Sequence, residues 1–256
     1  MKLLVFFVLV TMFFSGCVTD SGFYYEIVHE RNGCDPYCSL EYILLSNGTM
    51  MKKLNLQDNY DYEIKVAKID SARAEEAIKN VEDLVSEYKE TRCSNCNEYT
   101  LLMQQKGKSF MHITEEENSD SALKEILEDS ALLFSEGEQL EPFFVQFVYK
   151  RLGQNAVDYH IFPNGSVLRE EFVGDSQVLG PVEVFEITEE KAGLLEEKFD
   201  ADFFDSETGL SDCHENGLEY GYLQLMKGDS YAFFWVCGTG DSRADKVFNE
   251  LLMEFD

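Results

Sequence analysis

The chain writes one stretch twice. LSNGTMMKKL stands at 45–54 and FPNGSVLREEF at 162–172. Tyr42 aligns with Tyr159, and Asn47-Gly48-Thr49 aligns with Asn164-Gly165-Ser166, at an offset of 117. LMQQKGKSF (102–110) aligns with LQLMKGDSY (223–231), and DSALKEILEDSALLF (120–134) with DSRADKVFNELLMEF (241–255), both at an offset of 121. The order of segments is kept. A period of about 115 residues is too long for a solenoid unit and suits a small domain. The spacing predicts a tandem duplication: residues 23–134, a linker at 135–142 (SEGEQLEP), and residues 143–256.

Periodicity predicts the same elements in each unit. Tyr24–Arg31 and Phe143–Arg151 are rich in aromatic and β-branched residues, as strands are. Leu40–Leu45 and Val157–Phe162 follow, and Asn-Gly is expected to turn each chain in a type I′ hairpin. Met50–Leu56 and Val167–Val173 are the expected return strands. A helix comes next, with Ala77, Ile78, Val81, Leu84, Val85 and Tyr88 on one stripe, and Leu194, Leu195, Phe199 and Phe203 on the other. Asp70 or Ser71, and Thr188, are placed to cap these helices. A second hairpin turns at Lys106-Gly107 and at Lys227-Gly228. The last helices bury Leu123, Ile126, Leu127, Ala131 and Phe134, and Val247, Phe248, Leu251, Leu252 and Phe255, with Asp120 and Asp241 as caps. The expected class is α+β: an antiparallel meander and hairpin with two helices on one face of each unit. The two layers join edge to edge or helix against helix, and each unit is expected to fold alone.

The N-terminus bounds the location. One Lys precedes an apolar run from Leu3 to Phe14, too short to cross a hydrocarbon core of about 30 Å and suited to the core of a signal peptide. Phe14-Ser15-Gly16-Cys17 resembles a lipobox, the signal for acylating a cysteine that becomes the mature N-terminus. The resemblance implies a signal peptide at 1–16, lipidation at Cys17, a tether at 17–22, and a lipid-anchored protein on the extracytoplasmic face of the cell membrane. The formal net charge of the whole chain is −28. Such a field repels phosphate backbones, so nucleic acid is excluded as a partner.

Beyond Cys17 six cysteines remain: Cys34, Cys38, Cys93, Cys96, Cys213 and Cys237. An even number in an exported chain predicts three disulfides. Cys213–Cys237 would close within the second unit, and three pairings stay open in the first. A tetrathiolate zinc site from Cys34, Cys38, Cys93 and Cys96 is the alternative; no metal or other cofactor is expected. Cys93-x2-Cys96 follows a helix instead of opening one, which is the wrong context for a thiol oxidoreductase. ERNGCDPYCSLEYILLSNGT (30–49) is similar to the opening of an uncharacterised domain family of exported bacterial proteins, with Arg, a Cys-x3-Cys loop, a Tyr-led strand and an Asp/Asn-Gly turn. Here Ser39 follows the second Cys where the family has Pro. The resemblance implies no activity.

The remaining motifs read as structure. Gly-Asp-Ser recurs at 174–176, 228–230 and 240–242, but no Asp-x-x-His pair follows to complete a hydrolase of that kind. His29, His112, His160 and His214 do not cluster along the chain, and the first three lie in strands. The carboxylate runs at 58–63 and 200–207 lack the glycine and spacing of an EF-hand loop. Asn47 and Asn164 each begin an Asn-x-Ser/Thr sequon at an expected exposed turn, a candidate glycosylation site. The expectation is a non-enzymatic module that binds a partner protein or serves an envelope assembly. The alternative is an exported hydrolase working through carboxylates that the sequence does not single out.

Overall fold

The computed structural model describes residues 24–31, 37–57, 61–85, 97–104, 111–116, 121–141, 143–151, 153–173, 178–200, 203, 218–236 and 242–255. The first unit runs β1 (Tyr24–Glu30), β2 (Ser39–Leu45), β3 (Thr49–Gln57), β4 (Asp61–Lys68), α1 (Ser71–Val85), β5 (Glu98–Gln104), β6 (Met111–Glu116) and α2 (Ala122–Glu136). A short β7 (Glu138–Gln139) follows. The second unit runs β8 (Phe143–Arg151), β9 (Ala156–Ile161), β10 (Ser166–Val173), β11 (Val178–Glu186), α3 (Glu189–Glu197), β12 (Leu218–Lys227), β13 (Ser230–Trp235) and α4 (Arg243–Phe255). The sheets are ordered β6-β5-β1-β2-β3-β4-β7 and β11-β10-β9-β8-β12-β13. Read from matching ends, the two orders are the same, with β7 added to the first. The class is α+β, and the two similar sheet units are compatible with duplication.

Each meander has a fourth strand that the sequence reading passed over. β4 and β11 occupy the positions between return strand and helix. Pro181 lies in β11, which is a sheet edge, where a missing N–H costs no ladder bond. The caps of the last helices are also corrected. Ser121 accepts from Lys124 N at 3.1 Å and Ser242 from Asp245 N at 3.0 Å, so the serine after each aspartate is the cap. Asp70 Oδ1 accepts from Ala72 N, and Thr188 Oγ1 from Lys191 N, as expected of caps. The expected 121-residue offset holds for α2 and α4. For β5 and β12 it slips by one: Leu101 and Leu223 are the matching core residues, because the second hairpin loop is one residue shorter.

Alternation along the strands assigns each face. Tyr25, Ile27, Tyr42, Leu44, Leu101 and Met103 pack under Ile78, Val81, Ile126 and Phe134 of α1 and α2. Val145, Phe147, Tyr159, Leu223 and Leu225 pack under Leu195, Val247, Phe248 and Leu251 of α3 and α4. The opposite faces meet each other. Tyr24, Ile43, Leu45, Met51, Ile64 and Val66 from the first sheet form one cluster with Phe144, Phe162, Leu168, Val182, Val184 and Met226 from the second. The layers are therefore helix, sheet, sheet, helix. This corrects both expected arrangements, because the units join through their sheet faces. It also explains why β9 is buried along its whole length on both sides.

The repeated turns meet at this joint. Asn47 Nδ2 donates to Ser166 Oγ at 2.8 Å, and Asn164 Nδ2 donates to Thr49 Oγ1 at 2.8 Å. The two hydroxyls lie 2.8 Å apart and are fully buried. The turn type also differs from expectation. Gly48 N bonds to Leu45 O, and Gly165 N to Phe162 O, which places Ser46-Asn47 and Pro163-Asn164 at the turn centres and each glycine after them. Pro163 suits the first central position of a type I turn, and a glycine at positive φ completes a three-residue hairpin. Gly48 has φ 89° and Gly165 φ 80°.

Both glycines are also sites of close approach. A Cβ on Gly165 would stand 2.5 Å from Ile187 O, and one on Gly48 2.2 Å from Ile69 O. Gly153 shares the positive φ, at 73°, but has open space around it. Gly153→Ala should therefore cost about 1 kcal/mol, and Gly165→Ala more than about 2 kcal/mol, because strain and backbone clash add. Equal shifts of the two variants in urea midpoint would show that Ile187 yields freely.

Candidate functional site

The layer between the sheets is apolar at one end and polar at the other. Along β9, Asp158, His160 and Phe162 share the face that meets the first sheet. Gln146 of β8 lies opposite His160, and Glu170 of β10 lies opposite Asp158. His160 Nε2 is 3.2 Å from Asp158 Oδ2 and 3.6 Å from Glu170 Oε2. Gln146 Nε2 donates to Asp158 Oδ2 at 2.7 Å and lies 3.3 Å from His160 Nε2. The first sheet closes the group: Tyr24 OH donates to Glu170 Oε1 at 2.5 Å. Glu26 shares Tyr24's face of β1, and Glu41 and Lys53 form a 4.0 Å pair beside it. The side chains of His160 and Glu170 are 6% and 3% exposed.

Four carboxylates in this space face one amine and one imidazole, and the titrations answer to that excess. Burial opposes charge on His160, yet Asp158, by charge and by contact, and then Glu170 and Glu41, hold its pKa above the ordinary imidazole value. Burial lifts the Glu170 carboxyl to about 7 despite the pull of His160, with Asp158 and Glu41 repelling it further. Glu26 retains some solvent contact, but burial, then repulsion from Glu41 and Glu170, carries it well above the carboxylate range. The Tyr24 phenol is likewise held high by burial and by Glu170. The cluster thus retains protons that isolated carboxylic acids would release.

The two units have diverged here. Matching registers place Ile43 where the second unit has His160, Glu41 where it has Asp158, Lys53 where it has Glu170, and Glu26 where it has Gln146. The first unit therefore offers an ion pair at this position, and the second an imidazole between two carboxylates. By sequence, His160 reads as a structural strand residue, Glu170 as an exposed surface residue whose conservative replacement costs almost nothing, and Asp158 has no role; the burial of Glu170 beside His160 and Tyr24 corrects the second of these. The legible hint is VDYHIF (157–162), in which two polar residues alternate through an apolar strand. Read alone, that face points to water; the other sheet makes it interior.

The residues singled out by sequence are scattered. Cys17, Cys34, Cys93, Cys96, Cys213 and Cys237 lie outside the described residues. Cys38 is disulfide-bonded. Asn47 and Asn164 sit at turns pressed against each other, in place of the exposed tips expected. The hydroxyl of each sequon is buried, and each Asn Nδ2 is bonded across the joint. His29 stacks on Tyr99 with centroids 4.4 Å apart, and its Nδ1 bonds to Tyr37 OH at 2.9 Å. Of the carboxylate runs, Asp200 makes two 2.8 Å bonds to Arg243. Gly228 turns the last hairpin at φ 61°.

The proton balance sets a pH dependence. Glu170 is protonated in the fold up to about 7, but ionises near 4.3 in an unfolded chain, and His160 holds its proton above about 6.5. In both cases the native state binds more protons, so the stability these groups add is full below about 4.3 and falls as pH rises, through about 7 for Glu170 and above about 6.5 for His160. Each whole proton of difference is worth about 1.4 kcal/mol per pH unit. Thermal denaturation in chelator should give a higher Tm near pH 5.5 than near pH 8, and Glu170→Gln should flatten the profile. A profile indifferent to Glu170→Gln would mean that this carboxyl titrates normally.

Comparison with protein-family models, with curated proteins and with solved structures finds no match for this chain.

Proposed function

We propose that this protein is a lipid-anchored module on the extracytoplasmic face of the cell membrane that binds a partner protein or serves an envelope assembly without catalysis. The observation that carries the non-catalytic part is the enclosure of the perturbed groups. An enzyme gathers such groups in an open cleft. Here Asp158, His160 and Glu170 are buried between two sheets. Three grooves lined by described residues lie elsewhere: between α1 and α2, between α3 and α4, and between β4 and the β12–β13 hairpin. The last is the roomiest, about 650 Å³, and is walled by Tyr62, Met226, Asp229 and Tyr231.

The anchor is supported by Cys17 at the end of the apolar N-terminal run. Among the described residues, no helix is long and apolar enough to cross a membrane. A surface for a partner is offered by the edge strand β13. Trp235 is 46% exposed and packs edge-on to Tyr222 and Phe233, with centroids 5.9 and 5.4 Å away. An aromatic cluster of this kind on a sheet edge suits protein recognition.

Wild-type protein should fractionate with membranes, and Cys17→Ser should be released or left unprocessed. In intact cells, a cross-linked partner should be lost in Trp235→Ala. Equal retention and processing of Cys17→Ser would overturn the anchor, and cross-links unchanged by Trp235→Ala would remove β13 from the interface.

A further inference from the structure

We infer that Asp158, His160 and Glu170 form a binding site for one divalent transition-metal ion between the two sheets. The ligand geometry comes from the strands. Residues two apart on β9 project Asp158 and His160 to the same side, and the β9–β10 register brings Glu170 beside them. His160 Nε2 stands 3.2 Å from Asp158 Oδ2 and 3.6 Å from Glu170 Oε2. One ligand atom from each residue lies within 4.8 Å of the others. Bonds of about 2.0–2.1 Å to a shared tetrahedral ion set nitrogen and oxygen donors about 3.3 Å apart, so little movement separates this arrangement from a coordination shell.

A fourth residue points the same way. Gln146 is 5% exposed, its amide lies against Asp158 Oδ2 and His160 Nε2, and its Oε1 has no partner among the described residues. Turning the amide over would bring that oxygen to the three ligands as a fourth donor. Asp158 Oδ1 is likewise buried without a hydrogen-bond partner.

Charge and ligand type select the ion. Glu26, Glu41, Asp158 and Glu170 bring four carboxylates against one lysine, and a dication offsets much of the excess. One imidazole with two carboxylates and an amide suits zinc or a neighbouring first-row ion. Calcium asks for six to eight oxygens. The ion would fasten β9 to β10 and, through the Tyr24–Glu170 hydrogen bond, fasten the second sheet to the first. The site contains no thiolate, which separates it from a tetrathiolate built on the cysteines of the first unit.

The test uses the full-length chain extracted from membranes in detergent and stripped with chelator. Co²⁺ and then Zn²⁺ are added, and binding is read by calorimetry and visible absorption. One equivalent should bind, with the ligand-field bands of nitrogen–oxygen ligation and no thiolate charge-transfer band. Blocking free thiols should leave binding intact. Glu170→Gln, which keeps an acceptor for Tyr24, should weaken binding by more than about tenfold, the loss that outer-shell partners alone can cause. His160→Gln should do the same. If His160→Gln fails to fold, the Zn²⁺-induced rise in Tm of the wild type, and its absence in Glu170→Gln, decides. No binding, binding undiminished in Glu170→Gln, or binding abolished by thiol alkylation would each overturn the site.

Discussion

Thr49 and Ser166 hold their hydroxyls 2.8 Å apart where two copies of one turn meet, and each neighbouring asparagine reaches across to the other copy's hydroxyl. This reciprocal contact fixes how the sheets face each other. Its net worth is modest, about 0.5–1.5 kcal/mol per hydrogen bond. The larger stabilisation lies behind it, in the twelve buried side chains that the two sheets share. The hydroxyls set register, and the apolar layer supplies the adhesion. Neither Gly48 nor Gly165 tolerates a side chain, because the backbone that leads to each following helix passes directly against it.

Face-to-face packing has a consequence at the polar end of the layer. Residues that would have served as the solvent face of each sheet became interior. Burying ionised groups is costly unless they are paired, protonated or bound to an ion. Glu41 and Lys53 pair, and Glu170 takes a proton or an ion. The copies have divided the roles: Ile43 keeps the first unit's centre apolar, while His160 at the matching position turns the second unit's centre into a ligand. A site needs one such centre, and the duplication leaves the other copy free to form the wall, with Tyr24 as its contact.

The legibility of the chain follows the same division. The repeat, the positions of the hairpin turns, the last helices and the class were readable from the chain, whereas the expected stripe through Leu194, Leu195, Phe199 and Phe203 is corrected: α3 ends at Glu197, and Leu194 and Leu84 are exposed. Ile78, Phe134 and Phe248 fall on the helix stripes that periodicity assigns. β4 and β11 were hidden by an acidic opening in one case and by Pro181 in the other. The caps at Ser121 and Ser242 differ from expectation by one residue because an aspartate precedes each serine, and either side chain suits the position. The sheet-to-sheet joint was not legible. The strand β8 buries Phe144 and Val148 on one face and Val145, Phe147 and Tyr149 on the other, which announces burial without naming what covers them. The cluster at Asp158, His160 and Glu170 was hidden for the same reason, since alternation marks its face as polar but says nothing of the sheet opposite.

Neither half is expected to close a complete core by itself. Separation would uncover Phe144, Phe162, Leu168, Val182, Val184 and Met226 in the second half. At about 1.5–3 kcal/mol for each side chain, the loss is on the order of 10 kcal/mol, comparable with the whole stability of a domain. Urea denaturation of residues 142–256 beside the full chain measures this directly, with ultracentrifugation to fix the oligomeric state. The full chain should unfold in one cooperative transition. The isolated half should show no cooperative transition as a monomer, or should recover one only by pairing with a second copy. A monomeric half that unfolds cooperatively at the full chain's midpoint would contradict the shared core.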